Sequence, residues 1–121
     1  MTDQIAYWNG EVGERWAREA ADLDAMISPL GELALGALDP QAGERIADIG
    51  CGAGATTRAL ARAVGAGGLV LGIDPSAPLL AAARARGGAR YLEADASSAH
   101  PDVAPFDALF SRFGVMFFPD P

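Results

Sequence analysis

The apolar positions change period once along the chain. Over residues 5–38, Val12, Trp16, Ala20 and Leu23 recur at helical spacing among charged residues, which is the pattern of amphipathic helix. Two short helices are predicted there, broken at Ser28-Pro29, where Ser28 can cap and Pro29 suits a first helical position. Trp8 and Trp16 lie eight residues apart, a spacing that fits one helical face. Asp39-Pro40-Gln41-Ala42-Gly43-Glu44 reads as a turn. From Arg45 onward the apolar runs shorten and glycines punctuate them. Arg45-Ile46-Ala47-Asp48-Ile49 is a buried-strand pattern, Gly50-Cys51-Gly52-Ala53-Gly54 a loop, and Ala55–Val64 an Ala-rich helix. Gly65-Ala66-Gly67-Gly68 stops that helix, and Leu69-Val70-Leu71-Gly72-Ile73 forms a second strand ending in Asp74. Pro75-Ser76 opens a helix reaching about Arg86. Arg90-Tyr91-Leu92-Glu93 is a third strand and Phe106-Asp107-Ala108-Leu109-Phe110-Ser111 a fourth.

Strands alternating with helices at this spacing are βαβ units, which join through right-handed crossovers into a parallel sheet. The expected class is α/β with two N-terminal helices. A chain of 121 residues fits one domain. Residues 1–42 are expected to form a helical cover and residues 43–121 a ligand-binding half.

Charge narrows the partners. Sixteen acids against nine bases give a formal charge of −7, and that field repels phosphate backbones and anionic lipid surfaces. Neither nucleic acid nor membrane is expected as a partner; small neutral or cationic molecules are easier to accommodate. Cys51, the single cysteine, cannot form an internal disulfide or a metal cluster, so a cytoplasmic setting is expected. Met1-Thr2-Asp3-Gln4 lacks the basic start of a signal peptide, and no apolar run reaches the ~18–20 residues that span a bilayer. A soluble, unprocessed chain follows. His100 stands alone in a loop without partner spacing, which reads as surface, and no metal is expected.

The chemistry concentrates around the first glycine loop. Glycines there let the backbone turn off a strand and approach a ligand closely, while the helix that follows offers free N–H groups and positive potential. Twenty residues beyond Gly54, Asp74 ends the second strand, where a carboxylate can accept both hydroxyl hydrogens of a ribose. Gly50, Gly52 and Ala55 also fit the dinucleotide fingerprint. Asp48 argues against a pyrophosphate, which it would repel, and for the charged amino group of a methionyl ligand. Asp95 follows the third strand, placed to bond an adenine amine, with the Ala96 N–H available to a ring nitrogen.

Residues 46–57, 70–76, 91–96 and 106–118 together resemble the sequential motifs of class I S-adenosylmethionine-dependent methyltransferases. Tyr7-Trp8-Asn9-Gly10, Ala53-Gly54-Ala55-Thr56-Thr57 and the run from Phe110 to Phe118 resemble a bacterial small-molecule branch that contains ubiquinone/menaquinone-type methyltransferases. The resemblance implies a Rossmann-like parallel sheet of order 3-2-1-4 with helices on both faces, corresponding to the N-terminal portion of the family fold. It implies S-adenosylmethionine as cofactor and a small-molecule methyl acceptor. Asp48, Gly50, Cys51, Gly52, Ala53 and Gly54 would surround the methionyl part, Asp74 the ribose, and Asp95 with Ala96 the adenine, with Pro75 near its face. Ser111 and Arg112 would close the floor, and Tyr7, Trp8 and Trp16 would cover the ligand from the N-terminal side. No catalytic residue is named, because methyl transfer to a well-placed nucleophile needs little acid–base help.

The family sheet continues beyond four strands. The chain is therefore expected either to be a fragment of a longer protein or to complete itself by association, in the second case as a homodimer through the fourth strand and the apolar Phe117-Phe118 segment. Two rival functions stand beside methyl transfer: a noncatalytic S-adenosylmethionine-binding or oligomerising module, and a fragment of an NAD-dependent oxidoreductase. Plainer roles also stand beside the sharp ones. Asp74 can cap the helix after it, Asp95 can be a turn former in Asp95-Ala96-Ser97-Ser98, Cys51 can be a small loop residue, and the tryptophans can be core.

Overall fold

A computed structural model describes residues 2–97 and 105–111. Four strands, β1 (Arg45–Ile49), β2 (Leu69–Asp74), β3 (Arg90–Glu93) and β4 (Ala108–Ser111), form one sheet in the order β3-β2-β1-β4. Every pair is parallel. Among the described residues five helices accompany them: α1 (Thr2–Asn9), α2 (Glu11–Arg18), α3 (Ala20–Leu38), α4 (Ala55–Val64) and α5 (Ala77–Arg86).

The sheet follows from its residue pattern. In β1 the consecutive residues Ile46, Ala47 and Asp48 are all buried, as expected of a central parallel strand covered on both faces. One face packs Ile46, Val70 and Phe110 on Leu60 and Val64 of α4, with Ala34, Leu35 and Leu38 of α3 beside them. The other face carries Ala47, Leu71 and Ile73 beneath Leu92, Ala94, Ala96 and Phe106. β4 begins at Ala108 rather than Phe106. Phe106 is spent on that second face, and Asp107 exchanges bonds with Arg45: its backbone N–H donates to Arg45 O at 2.7 Å, and its Oδ2 accepts from Arg45 N at 2.7 Å. This pair aligns β4 with β1 in the register that sets Asp48 opposite Phe110, while the β2 ladder sets Gly72 on its other side.

The N-terminal helices differ from the expectation. There are three rather than two, broken at Gly10 and Glu19, and α3 runs unbroken through Ser28-Pro29. A proline inside a helix costs about 3 kcal/mol through its lost N–H and steric clash. Packing of Ala34, Leu35 and Leu38 on the core offsets that cost, so tertiary contact overrides the local signal. Gly10 breaks the earlier segment by adopting an extended conformation (φ −89°, ψ −151°). Trp8 and Trp16 consequently sit on different helices. They still meet, edge to face at 5.6 Å. A third cluster, Ala20, Ala53 and Leu79 with Trp8, Ala17 and Ala82 against it, fastens these helices to the glycine loop and α5. His100, Arg112, Phe113, Phe117 and Phe118 lie outside the described residues.

Candidate cofactor site

In an open α/β sheet, ligands bind beyond the carboxyl ends of the strands, where the strand order reverses. Here that point lies between β1 and β4. Ile49 pairs with Ser111 across it, and the Ser111 hydroxyl donates to Ile49 O at 2.9 Å. Ser111 therefore ties the floor of the crevice to the residue just before the loop.

The loop leaves β1 through a continuation of the strand ladder: Gly50 N and Cys51 N donate to Ile73 O at 2.8 and 3.2 Å. It then turns through three positive-φ glycines, Gly50, Gly52 and Gly54, a conformation other residues adopt only with strain. Two of them differ in what surrounds them. A Cβ on Gly52 would meet nothing within 4 Å, whereas one on Gly54 would overlap the Tyr91 hydroxyl and lie 3.0 Å from Arg58 Nη1. Gly52 thus presents backbone to open space, as close approach by a ligand requires, and Gly54 fits the loop onto the side chains beneath it. Arg58 donates to Ala53 O at 2.9 Å, strapping the loop from the first turn of α4.

Two aspartates address this loop from strand ends, and they are held differently. Asp48 is wholly buried; its Oδ2 accepts from the hydroxyls of Thr56 and Thr57, both at 2.8 Å. Its carboxylate lies among the side chains that anchor the start of α4. Asp74 is 7% exposed. Its Oδ1 accepts from Ser76 N at 2.8 Å and its Oδ2 from Gly52 N at 3.0 Å. Each oxygen has two lone-pair sites, so a carboxylate fixed in this way can still accept a hydroxyl. Burial raises its pKa above the ordinary 3.8, and the two backbone N–H bonds pull it down. The Cys51 thiol is pushed up strongly, first by burial and then by the charges of Asp48 and Asp74. It is an inert packing group rather than a nucleophile.

The remaining sequence candidates surround this centre. The Asp95 carboxylate accepts from Ser97 N at 3.0 Å and from the Ser97 hydroxyl at 2.6 Å, a turn geometry that matches the plainer role set beside its adenine contact; the segment leaves β3 through Ala94 N donating to Asp74 O at 3.1 Å. Ala96 packs on the second sheet face. The Pro75 carbonyl accepts from Asn9 Nδ2 at 2.6 Å. Trp8 packs against the cluster containing Ala53, with the rings of Tyr7 at 5.3 Å and Trp16 at 5.6 Å, both edge to face. Sequence reasoning missed the supporting partners: Thr56 and Thr57 as holders of Asp48, Arg58 and Tyr91 beneath the loop, and Asn9 with Ser76 at the β2–α5 turn. The signals for the threonines were their place one helical turn or less after the glycines and their part in the run Ala53-Gly54-Ala55-Thr56-Thr57, neither of which points to Asp48.

A strand, glycine loop and helix, with an acid at the next strand end bonded back into the loop, define a nucleotide-type cofactor site on a Rossmann-like sheet. Residues 46–121 match the methyltransferase domain family. The chain is 33% identical over 100 residues to aklanonic acid methyltransferase DauC of Streptomyces sp. (strain C5), covering 78% of this chain and 46% of that protein. It is 33% identical over 99 residues to nocamycin O-methyltransferase of Saccharothrix syringae, covering 76% of this chain and 35% of the relative. A TehB-like S-adenosylmethionine-dependent methyltransferase of Corynebacterium glutamicum superposes with a TM-score of 0.64 at 26% identity, over 83% of this chain and 56% of the other. The chain spans less than half the length of the two named relatives. It belongs to the class I S-adenosylmethionine-dependent methyltransferases, and the cofactor of that family is S-adenosylmethionine.

Proposed function

We propose that the protein transfers the methyl group of S-adenosylmethionine to a small-molecule acceptor. The observation that carries this reading is the Asp74 carboxylate at the end of β2, bonded to Gly52 N across the glycine loop, which sets a ribose-binding acid beside an open backbone. The site fits the cofactor on its own terms, since Gly52 has free space before it and each Asp74 oxygen accepts a single backbone N–H. A dinucleotide fits less well, because the Asp48 carboxylate at the base of the loop would repel a pyrophosphate; Asp74 does not discriminate, since an acid at this strand end serves the ribose of either cofactor.

The cofactor supplies an electrophilic methyl on a sulfonium centre. Gly50, Cys51, Gly52, Ala53 and Gly54 hold its methionyl part, with the Asp48 charge favouring the ammonium. Asp74 accepts from the ribose, Asp95 and Ala96 meet the adenine, and Pro75 lies near its face. Ser111 forms the floor, and Trp8 and Trp16 the cover. The chain's contribution to rate is positional: a nucleophile held in line with the methyl gains from proximity and orientation alone. The relatives named for aklanonic acid and nocamycin support a small organic acceptor, and the net charge of −7 disfavours nucleic acid. The buried, unpaired thiol of Cys51 suits the reducing cytoplasm.

Calorimetric titration with S-adenosylhomocysteine, beside NAD and an Asp74→Ala control, tests this reading. Binding that weakens at least about tenfold in Asp74→Ala, as loss of hydrogen bonds to a charged acceptor demands, and that excess NAD does not displace is expected. A folded chain that binds no S-adenosylhomocysteine, or releases it to NAD, overturns the proposal.

A further inference from the structure

The turn that carries Asp74 is gripped from the far end of the chain. Asn9, the last residue of α1, donates through Nδ2 to Pro75 O at 2.6 Å and to Ile5 O of its own helix at 3.0 Å. Its Oδ1 accepts from Ala77 N at 2.8 Å. Between these two anchor points the Ser76 hydroxyl donates to Trp8 O at 2.5 Å. The bonds join residues 66 to 68 positions apart. Gly13 of α2 lies against the same junction, where a Cβ would collide with Trp8 O and come within 2.9 Å of Ser76 Oγ.

The chemistry of the grip is specific. Pro75 O can only accept and Ala77 N–H can only donate, so the amide has one productive orientation, with both of its N–H groups used. Ala77 N is one of the donors that a helix N-terminus leaves without an intrahelical partner, and Trp8 O is one of the acceptors left at a helix C-terminus. The end of α1 and the start of α5 therefore cap each other. A helix of eight residues does not hold its shape alone in water, so α1 is ordered by its packing on α2, by Trp8 against the cluster of Ala53 and Leu79, and by this junction. The junction in turn fixes the backbone on both sides of Ser76, whose N–H holds Asp74 Oδ1.

Resting on the cofactor reading above, we propose that Asn9 is a positioning residue. It clamps residues 75–77 so that the Asp74 carboxylate is aimed at the ribose hydroxyls, and it thereby couples the docking of α1 and α2 to occupancy of the cofactor site. Linkage makes the coupling reciprocal: the cofactor tightens α1 by as much as α1 tightens the cofactor.

The test uses the full chain, Asn9→Ala, and Asn9→Asp, which keeps the size and the acceptor but loses both donors. Folding is checked by circular dichroism and by amide exchange in β1 and α4. Two ligands are titrated, S-adenosylhomocysteine and its analogue lacking both ribose hydroxyls. Asn9→Ala and Asn9→Asp are expected to weaken S-adenosylhomocysteine about tenfold and the analogue by less than about twofold, the scale of losing aimed hydrogen bonds. S-adenosylhomocysteine is expected to slow exchange in α1 of the wild type but not of Asn9→Ala. Equal losses for both ligands would mean a general structural role and would overturn the proposal. So would unchanged affinity in both variants. A folded wild type that binds neither ligand refutes the cofactor reading itself, and the positioning role falls with it, an outcome distinct from variants that bind as the wild type does.

Discussion

Replacing Gly54 by alanine tests how tightly the loop is seated on β3. Two costs add. Gly54 has φ +89° and ψ 14°, left-handed backbone that costs an L-residue about 1–2 kcal/mol. The new Cβ would also overlap the Tyr91 hydroxyl and stand 3.0 Å from both Tyr91 Cζ and Arg58 Nη1, and overpacking of this kind costs about 1–3 kcal/mol. The ring cannot retreat toward the sheet. It already lies over Gly72, where a Cβ would be 2.8 Å from Tyr91 Cδ1 and 2.9 Å from Cys51 Sγ. Gly54→Ala is therefore expected to lose about 3 kcal/mol in urea denaturation, with unchanged dependence on denaturant. Tyr91→Phe separates the terms. The Tyr91 hydroxyl is buried beside the Arg58 guanidinium, with no hydrogen bond of good geometry among the described residues, so its removal costs little. Burial raises its pKa, against the pull of the nearby Arg58 charge. In the double variant, the overlap with oxygen is gone while the backbone strain and the Cζ contact remain. Recovery of about 1 kcal/mol relative to additivity is expected, the size typical of coupling between touching residues. Strict additivity, or a Gly54→Ala cost below about 0.5 kcal/mol, the range of ordinary surface changes, would refute the reasoning.

Three further outcomes follow from the core and the site. Leu60→Ala removes a fully buried side chain from the cluster of Ile46, Val64, Val70 and Phe110; a loss of about 2–4 kcal/mol is expected by denaturation, as for other buried Leu truncations. Asp74 titrates above 3.8 in the folded chain, so the folded state keeps a proton that the unfolded state releases. Its contribution to stability is full at more acid pH and is lost as pH rises from 3.8 through the raised value. Asp74→Asn should flatten that part of the urea-midpoint profile, and an unchanged profile would contradict the assignment. Cys51 is buried with its thiol pKa raised, so alkylation by iodoacetamide, followed by mass spectrometry, should be much slower in the folded chain than in urea; equal rates would show an open loop.

The alternation of short apolar runs with glycines determined a great deal on its own. Ala55–Val64 and Arg90–Glu93 stand where the pattern puts them, because glycine stops and strand periods are local signals that neighbours in sequence suffice to specify. Asp74 and the loop were legible for the same reason, as chain geometry alone brings the end of one strand beside the loop after its neighbour. The N-terminal helices were not. Whether Pro29 ends a helix depends on what the turns beyond it touch, and Ala34, Leu35 and Leu38 find their contacts on strands and a helix later in the chain. The aromatic pair was legible as a pair but on the wrong framework, since Gly10 folds α1 against α2 and contact replaces the shared helical face. Asn9 and Ser76 have local roles, a bond back to Ile5 O and the N-cap of α5, but their meeting across the chain was decided by tertiary structure, since it exists only once the start of α5 is brought against the end of α1. Short-range periodicity encodes which elements form, because backbone bonding is local. Which polar groups meet is settled by packing, because each buried donor must find an acceptor wherever the fold provides one.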